Sequence, residues 1–325
     1  MPNRRPTMHA RTATPSTETP AAAAPARARS ARPWLNRRWA PYVFISPFFI
    51  LFAVFGLFPL LFSIYLSFHR WDPAEGLAAM RFVAFENYLY VLRDDEWFHK
   101  SIYNTLWLAL VSGLPQHLVA LPLAVFIHSR FKRLRDGVAG AYFLPYITST
   151  VAIAMMFTSL FSTDYGLVNA VLGGVFGMEA TPWLTQPDKL KVAVAIVVFW
   201  RYVGFNLMLY LAALQTIPRD LYEAATLDGA GPWAKFWRIT LPSLRPMILF
   251  GVTLSVIGGL QLFEEPFILT NGNGGPDQTV MTSAIYLYRL AFDFNDFGGA
   301  AAMSWVLCGV VVVMTLLTNR AFKER

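Results

Sequence analysis

Long apolar runs dominate the chain, at about residues 42–68, 102–127, 137–161, 191–214, 247–270 and 299–318. A helix rises 1.5 Å per residue, so roughly 20 apolar residues cross a hydrocarbon core about 30 Å thick. All six runs reach that length, and the first is long enough to tilt or extend into the interface. A lipid-exposed backbone must satisfy its own hydrogen bonds. The runs therefore predict an all-α integral membrane protein with six transmembrane helices. Pro47, Pro59, Pro115, Pro122, Pro145 and Pro266 fall inside runs, which bundled membrane helices tolerate. Composition agrees: of 325 residues, 55% are hydrophobic and 14% charged, against roughly 25% charged in a soluble domain. A soluble enzyme and a disordered regulator are excluded. So is a disulfide-stapled domain, because Cys308 is the only cysteine.

Residues 1–40 are different in kind. They carry eight arginines (Arg4, Arg5, Arg11, Arg27, Arg29, Arg32, Arg37 and Arg38), one acid (Glu18), and much Ala, Pro and Thr. Such a stretch buries no core and reads as a disordered basic tail, although a transit peptide shares the composition. Basic residues recur in the 2–3 loop (Arg130, Lys132, Arg133, Arg135), in the 4–5 segment (Arg219, Lys235, Arg238, Arg245) and at the end (Arg320, Lys323, Arg325). The 1–2 loop is acidic, with Asp72, Glu75, Glu86, Asp94, Asp95 and Glu96. The positive-inside rule puts both termini and the 2–3 and 4–5 loops in the cytoplasm of a multi-pass plasma (inner) membrane protein.

Signatures of catalysis are missing. The chain has no GxxxxGK[ST] phosphate loop, no HExxH and no GxSxG. Its five histidines have no metal-ligand spacing, and His117, inside run 2, reads as a packed or hydrogen-bonded residue. Gly272, Gly274 and Gly275 follow an apolar run rather than a strand, which argues against a nucleotide site. Neither metal nor cofactor is expected in this chain, and nucleic acid is not an expected partner.

One connecting segment, residues 215–246, is neither polar nor loose. Pro218 starts a short helix through Glu223, Ala224 and Ala225 that stops at Asp228-Gly229. Pro232 starts a second short helix whose Trp233, Phe236 and Trp237 share one face. That face either docks a partner or packs on neighbouring runs, and spacing alone does not decide between them.

Glu223-Ala224-Ala225, then Asp228-Gly229, then Ile239-Thr240-Leu241-Pro242 resembles the EAA loop of ABC importer permeases, in the family spacing. The stretch from Phe267 to Pro276 and Tyr286-Leu287-Tyr288 resemble the carbohydrate, maltose-type branch, with Asn271 and Gly272 lengthening the turn. The resemblance covers roughly residues 40–325. It implies the type I ABC importer permease architecture over 41–325, with ATP-driven, binding-protein-dependent sugar import. It also implies a second permease subunit sharing the path, two ATPase subunits that hydrolyse ATP in place of this chain, and an extracytoplasmic sugar-binding protein. Glu223, Ala224, Ala225, Asp228 and Gly229 would then couple the permease to the ATPase. The alternative class is an ion-gradient-driven secondary transporter of a small polar solute, which should show inverted repeats; none is evident.

Arg201 stands inside run 4, where a central Arg costs about 2.5–3.5 kcal/mol on insertion scales. Tyr202 adjoins it, Phe205 and Asn206 follow one turn on, and run 5 supplies Gln261, Glu264 and Glu265. Planar polar groups grip hydroxyls and aromatic faces cover a sugar ring, so these seven residues are a candidate substrate path. The resemblance points to the same two runs. The other reading is that Arg201 and a Glu of run 5 only neutralise each other.

Overall fold

The computed structural model describes residues 39–131 and 135–323. The tail up to residue 38, with Lys132 and Arg133, lies outside them. Contacts divide the chain between Leu57 and Phe58. The described part of the first unit is helix α1 (Ala40–Phe52) and a π turn, Ala53–Leu57.

The second unit starts with α2 (Phe58–Ser67). A short antiparallel pair follows, β1 (His69–Arg70) with β2 (Arg81–Phe82). Helix α3 (Glu86–Leu89) is tied back to that pair, because Asn87 donates to the carbonyls of Ser67 and His69, both at 3.0 Å. Then come α4 (Glu96–Arg130), α5 (Arg135–Ile147), α6 (Thr150–Leu160), α7 (Leu167–Phe176) and α8 (Pro187–Leu214). The rest is α9 (Arg219–Leu227), α10 (Pro232–Lys235), α11 (Leu241–Leu260), α12 (Glu264–Leu269), α13 (Ser283–Phe292) and α14 (Phe297–Lys323).

Among the described residues, five helical stretches are long and apolar enough to cross a membrane: Ala40–Ser67, Glu96–Arg130, Pro187–Leu214, Pro232–Leu269 and Phe297–Phe322. Taken together as one span, α5 and α6 make a sixth, bent by 93°. The third expected run is thus not straight. The Thr148 hydroxyl takes up the Leu144 carbonyl at 2.7 Å, and Ser149, at ψ 128°, leaves helical geometry to begin α6. The fifth expected run is also interrupted, at Gln261–Phe263. Pro266 explains this break. It has no N–H to give and its ring clashes with a carbonyl one turn back, so it sits in the first turn of a new helix.

The core centres on α4 against α8. Ala120, Ala124 and Ile127 meet Leu207, Tyr210, Leu211 and Leu214. His117 Nδ1 lies 2.6 Å from the Tyr210 hydroxyl, so this histidine is hydrogen-bonded to the packing partner of its own helix. Gly204 lets α8 approach α5 closely, since a Cβ there would overlap the Tyr142 carbonyl. Small residues at such crossings are how helices pack in lipid, where the hydrophobic effect supplies no drive between them. At the start of α4, buried Asp95 caps the Phe98 N–H at 3.0 Å and accepts from the Tyr286 hydroxyl at 2.8 Å. Burial first, and that carboxylate second, push the Tyr286 phenol above its usual pKa.

Candidate functional sites

The segment 215–246 folds as a hairpin of α9 and α10. Pro218, with extended ψ of 135°, precedes the first helical residue. At the far end Asp228 caps the helix and Gly229 takes φ +75°. Gly229 N–H donates to Thr226 O at 3.0 Å and Ala230 N–H to Ala225 O at 2.8 Å. That pair of bonds is a Schellman closure, which asks for glycine at the left-handed position. Three further bonds hold the hairpin: Tyr222 hydroxyl to Thr240 Oγ1 at 2.8 Å, Lys235 Nζ to Thr226 Oγ1 at 2.8 Å, and Thr240 Oγ1 to Lys235 O at 3.4 Å. Glu223 and Ala224 are exposed, and Ala225 lines a groove with Asp228, Gly229 and Arg238.

The second helix is not the separate short element expected. It runs through a π turn, Phe236–Thr240, directly into α11. The widened turn ends just before Pro242, whose ring an ordinary turn would meet with a carbonyl. Trp233 and Trp237 remain exposed, at 75% and 58%, as does Leu227 at 90%. Phe236, the third member of the face, is half-buried; among the described residues, then, the two tryptophans are not consumed by packing on neighbouring helices.

A second constellation sits where both interrupted runs meet α8. Arg201 Nη1 is 2.7 Å from Glu265 Oε1 and 3.5 Å from Glu264 Oε2. The Thr150 hydroxyl, in the first turn of α6, donates to Glu264 at 2.5 Å. One guanidinium thus ties α8 to the start of α12, and one carboxylate ties α12 to α6. Glu265 is 2% exposed and Arg201 9%. A buried pair of this kind is tolerated because each partner satisfies the other.

Beside it lies a cavity of about 230 Å³. Helix α4 contributes Ala109, Ser112, Gly113 and Gln116, and α5 contributes Tyr146. Helix α8 contributes Val198, Tyr202, Phe205 and Asn206, while Leu254, Ser255, Gly258, Gly259 and Leu262 come from α11 and its end. Asn206 Nδ2 donates to Gln116 Oε1 at 3.2 Å. Asn206 Oδ1 is buried and has no partner among the described residues. Tyr146 packs on Phe205 at 4.9 Å and on Tyr202 at 5.8 Å between ring centroids. The Arg201 guanidinium lies 5.5 Å from the Tyr202 ring centre. Of the seven candidate path residues, Tyr202, Phe205 and Asn206 line the cavity. Arg201, Glu264 and Glu265 form the junction beside it. Gln261 does neither; it ends α11, exposed.

Residues 120–323 match the family described as "Binding-protein-dependent transport system inner membrane component". The match takes in the hairpin, the junction and the α8 and α11 walls of the cavity. The chain belongs to this family. As a permease it is 37% identical over 286 residues to the lactose transport system permease protein of Rhizobium radiobacter, covering 87% of this chain and 94% of the relative. It is 33% identical over 284 residues to the arabinooligosaccharides transport system permease protein of Bacillus subtilis, covering 87% and 88%. Among solved structures, a bacterial alginate ABC transporter, in complex with its alginate pentasaccharide-bound periplasmic protein, has a chain that superposes with a TM-score of 0.75. That chain is 27% identical, with 89% of this chain and 95% of that one covered. The type I importer permease architecture expected from the hairpin motif is therefore the architecture of this permease.

The α4 side of the cavity was not anticipated from sequence. Ser112 and Gln116 are spaced i, i+4 inside an otherwise apolar stretch, a spacing that puts both on one helix face. That was the available signal. Thr150 carried none, because nothing in sequence brings residue 150 to residue 264.

Proposed function

We propose that this permease is the membrane subunit of an ATP-driven sugar importer and forms the sugar path together with a second permease subunit. Two ATPase subunits hydrolyse ATP on the cytoplasmic side, and an extracytoplasmic sugar-binding protein delivers the solute. The chain itself carries no cofactor and performs no catalysis. The family match and the sugar-transport relatives support the transport class. The observation that carries the division of labour is the hairpin, which is stiffened from within yet presents Leu227, Trp233 and Trp237 outward. A buried-core loop would not leave them bare, and a coupling element must.

In this reading Glu223, Ala224, Ala225, Asp228 and Gly229 shape the surface that seats on an ATPase. Both termini, the 2–3 loop and the hairpin are cytoplasmic, as the distribution of Lys and Arg favours. Tyr202, Phe205 and Asn206 touch the sugar. Arg201, Glu264 and Glu265 hold the interrupted helices that frame the path, and Gln261 is left free beside them to meet a passing solute.

The test is uptake by proteoliposomes holding both permease subunits, both ATPases and the binding protein. Sugar accumulation should require internal ATP and persist when ionophores collapse ion gradients. Accumulation that survives without ATP and stops with the ionophore would assign the chain to gradient-driven transport instead.

A further inference from the structure

The cavity contrasts with its surroundings in charge. No charged residue lines it, although Arg201, Glu264 and Glu265 stand alongside. Its polar surface comes from amides and hydroxyls, and aromatic rings supply much of the rest. The neighbouring junction has two carboxylates to one guanidinium, so it presents one net negative charge. Arg201 Nε makes no hydrogen bond among the described residues, but both carboxylates already hold the guanidinium in place. An anionic solute would therefore meet no free cation and would face a net negative neighbour in a medium of low dielectric. A neutral polyhydroxylated ring meets the hydroxyls of Ser112 and Ser255, the side-chain amides of Gln116 and Asn206, and the rings of Tyr146, Tyr202 and Phe205.

Two glycines bear on the cavity's width. Gly113 is buried, yet a Cβ built on it would find nothing within 4 Å. A buried glycine with open space before it and a place in the cavity wall faces the cavity. Gly258, across from it on α11, also has nothing within 4 Å of a built Cβ, and it lies at the exposed side. By contrast Gly259 serves packing, since its Cβ would come within 2.8 Å of Ala109 Cβ.

We propose that the cavity accepts one uncharged sugar unit, excludes uronic and sulfonated sugars, and uses the bare Cα of Gly113 as the surface against which the ring lies. This rests on the sugar path proposed above. Gly113 is then a specificity-determining residue. Its replacement by alanine should not harm the helix, because alanine is the better helix former. It should still obstruct the ring, since one added methyl group in a fitted pocket shifts affinity by about tenfold or more.

The experiment uses the assembled importer in lipid nanodiscs without its binding protein, so that this subunit's preference is read directly. Neutral disaccharides and their uronic-acid counterparts are titrated to millimolar concentration against the unmodified importer, Gly113→Ala and Gly113→Leu. The expected result is binding of neutral sugars alone, weakened about tenfold by Gly113→Ala and abolished by Gly113→Leu, with the amount of assembled complex unchanged. Binding of uronates that Gly113→Leu also abolishes would overturn the uncharged class while leaving the site in place. Saccharide binding that both variants leave unaltered, or binding of none of the sugars, would overturn the cavity as a sugar site altogether.

Discussion

The hairpin at 215–246 and the cavity between α4, α8 and α11 are built in opposite ways. The hairpin is local. Its closing bonds join residues a few positions apart, such as Ala230 to Ala225, and its Leu227, Trp233 and Trp237 are exposed. The cavity is assembled from stretches as distant as Ala109 and Leu262, and its surface faces inward. A local device is written as a contiguous motif, whereas an assembled one leaves only isolated polar residues in apolar runs. The two should also fail differently when altered: the hairpin by losing its shape, the cavity by losing contacts or collapsing.

The largest effect concerns orientation and is all or none. In a Cys308→Ala background, cysteine at Glu223 should react with an impermeant thiol reagent only from the cytoplasmic side, and cysteine at Asp277 or Glu75 only from outside. These are better probes than Asp95, which is buried as the cap of α4. Labelling of position 223 in intact cells would break the comparison at its root.

Next comes the junction. Arg201→Met leaves Glu265, 2% exposed, without its counter-charge. Losing one partner of a buried pair costs about 3–5 kcal/mol. Far less assembled permease should be recovered after detergent extraction, and Arg201→Met combined with Glu265→Gln should restore much of it. A single variant that assembles normally would show that the pair does not hold the interrupted helices together.

The hairpin effect is smaller. Gly229→Ala meets no steric neighbour, so its cost is that of a left-handed backbone, about 1–2 kcal/mol. The protein should insert and assemble, while substrate-stimulated ATPase activity falls several-fold. Gly229→Asn, which tolerates that conformation better, should lose less.

Smallest are the neutral polar changes. Asn206→Ala removes a hydrogen-bonding wall residue worth about 0.5–1.5 kcal/mol, roughly two- to tenfold in half-saturation for uptake. Gln261→Ala, exposed and off the cavity wall, should change it less. The reverse order would move the sugar path from the cavity towards the end of α11.

Much of the fold was legible because hydrocarbon thickness sets the length of an apolar run. The breaks were less so. Local signs exist, with Pro145 and Thr148-Ser149-Thr150 at the first break and Gln261, Glu264, Glu265 and Pro266 at the second, but they do not decide a break by themselves, because Pro115 and Pro122 lie inside the unbroken α4. The hairpin was legible almost residue by residue, since Pro218, Gly229 and Pro232 dictate backbone conformation by themselves. Its continuity into α11 was not, because a π turn absorbs Pro242 without ending the helix. At the candidate path, Arg201 stood out by its cost in lipid. Glu264 and Glu265 were in view as partners, but Thr150, Gln116 and Gly113 join them only through tertiary packing.

The central claim is that coupling and sugar contact reside in separate parts of this one chain. It is tested most directly by measuring, on one reconstituted importer, both the half-saturation for sugar uptake and the maximal stimulated ATPase rate for Asn206→Ala and Gly229→Ala. The account predicts that Asn206→Ala raises the half-saturation and leaves the maximal ATPase rate unchanged, while Gly229→Ala lowers the ATPase rate and leaves the half-saturation unchanged. If both variants shift the same quantity, the two regions are not separate and the account is contradicted.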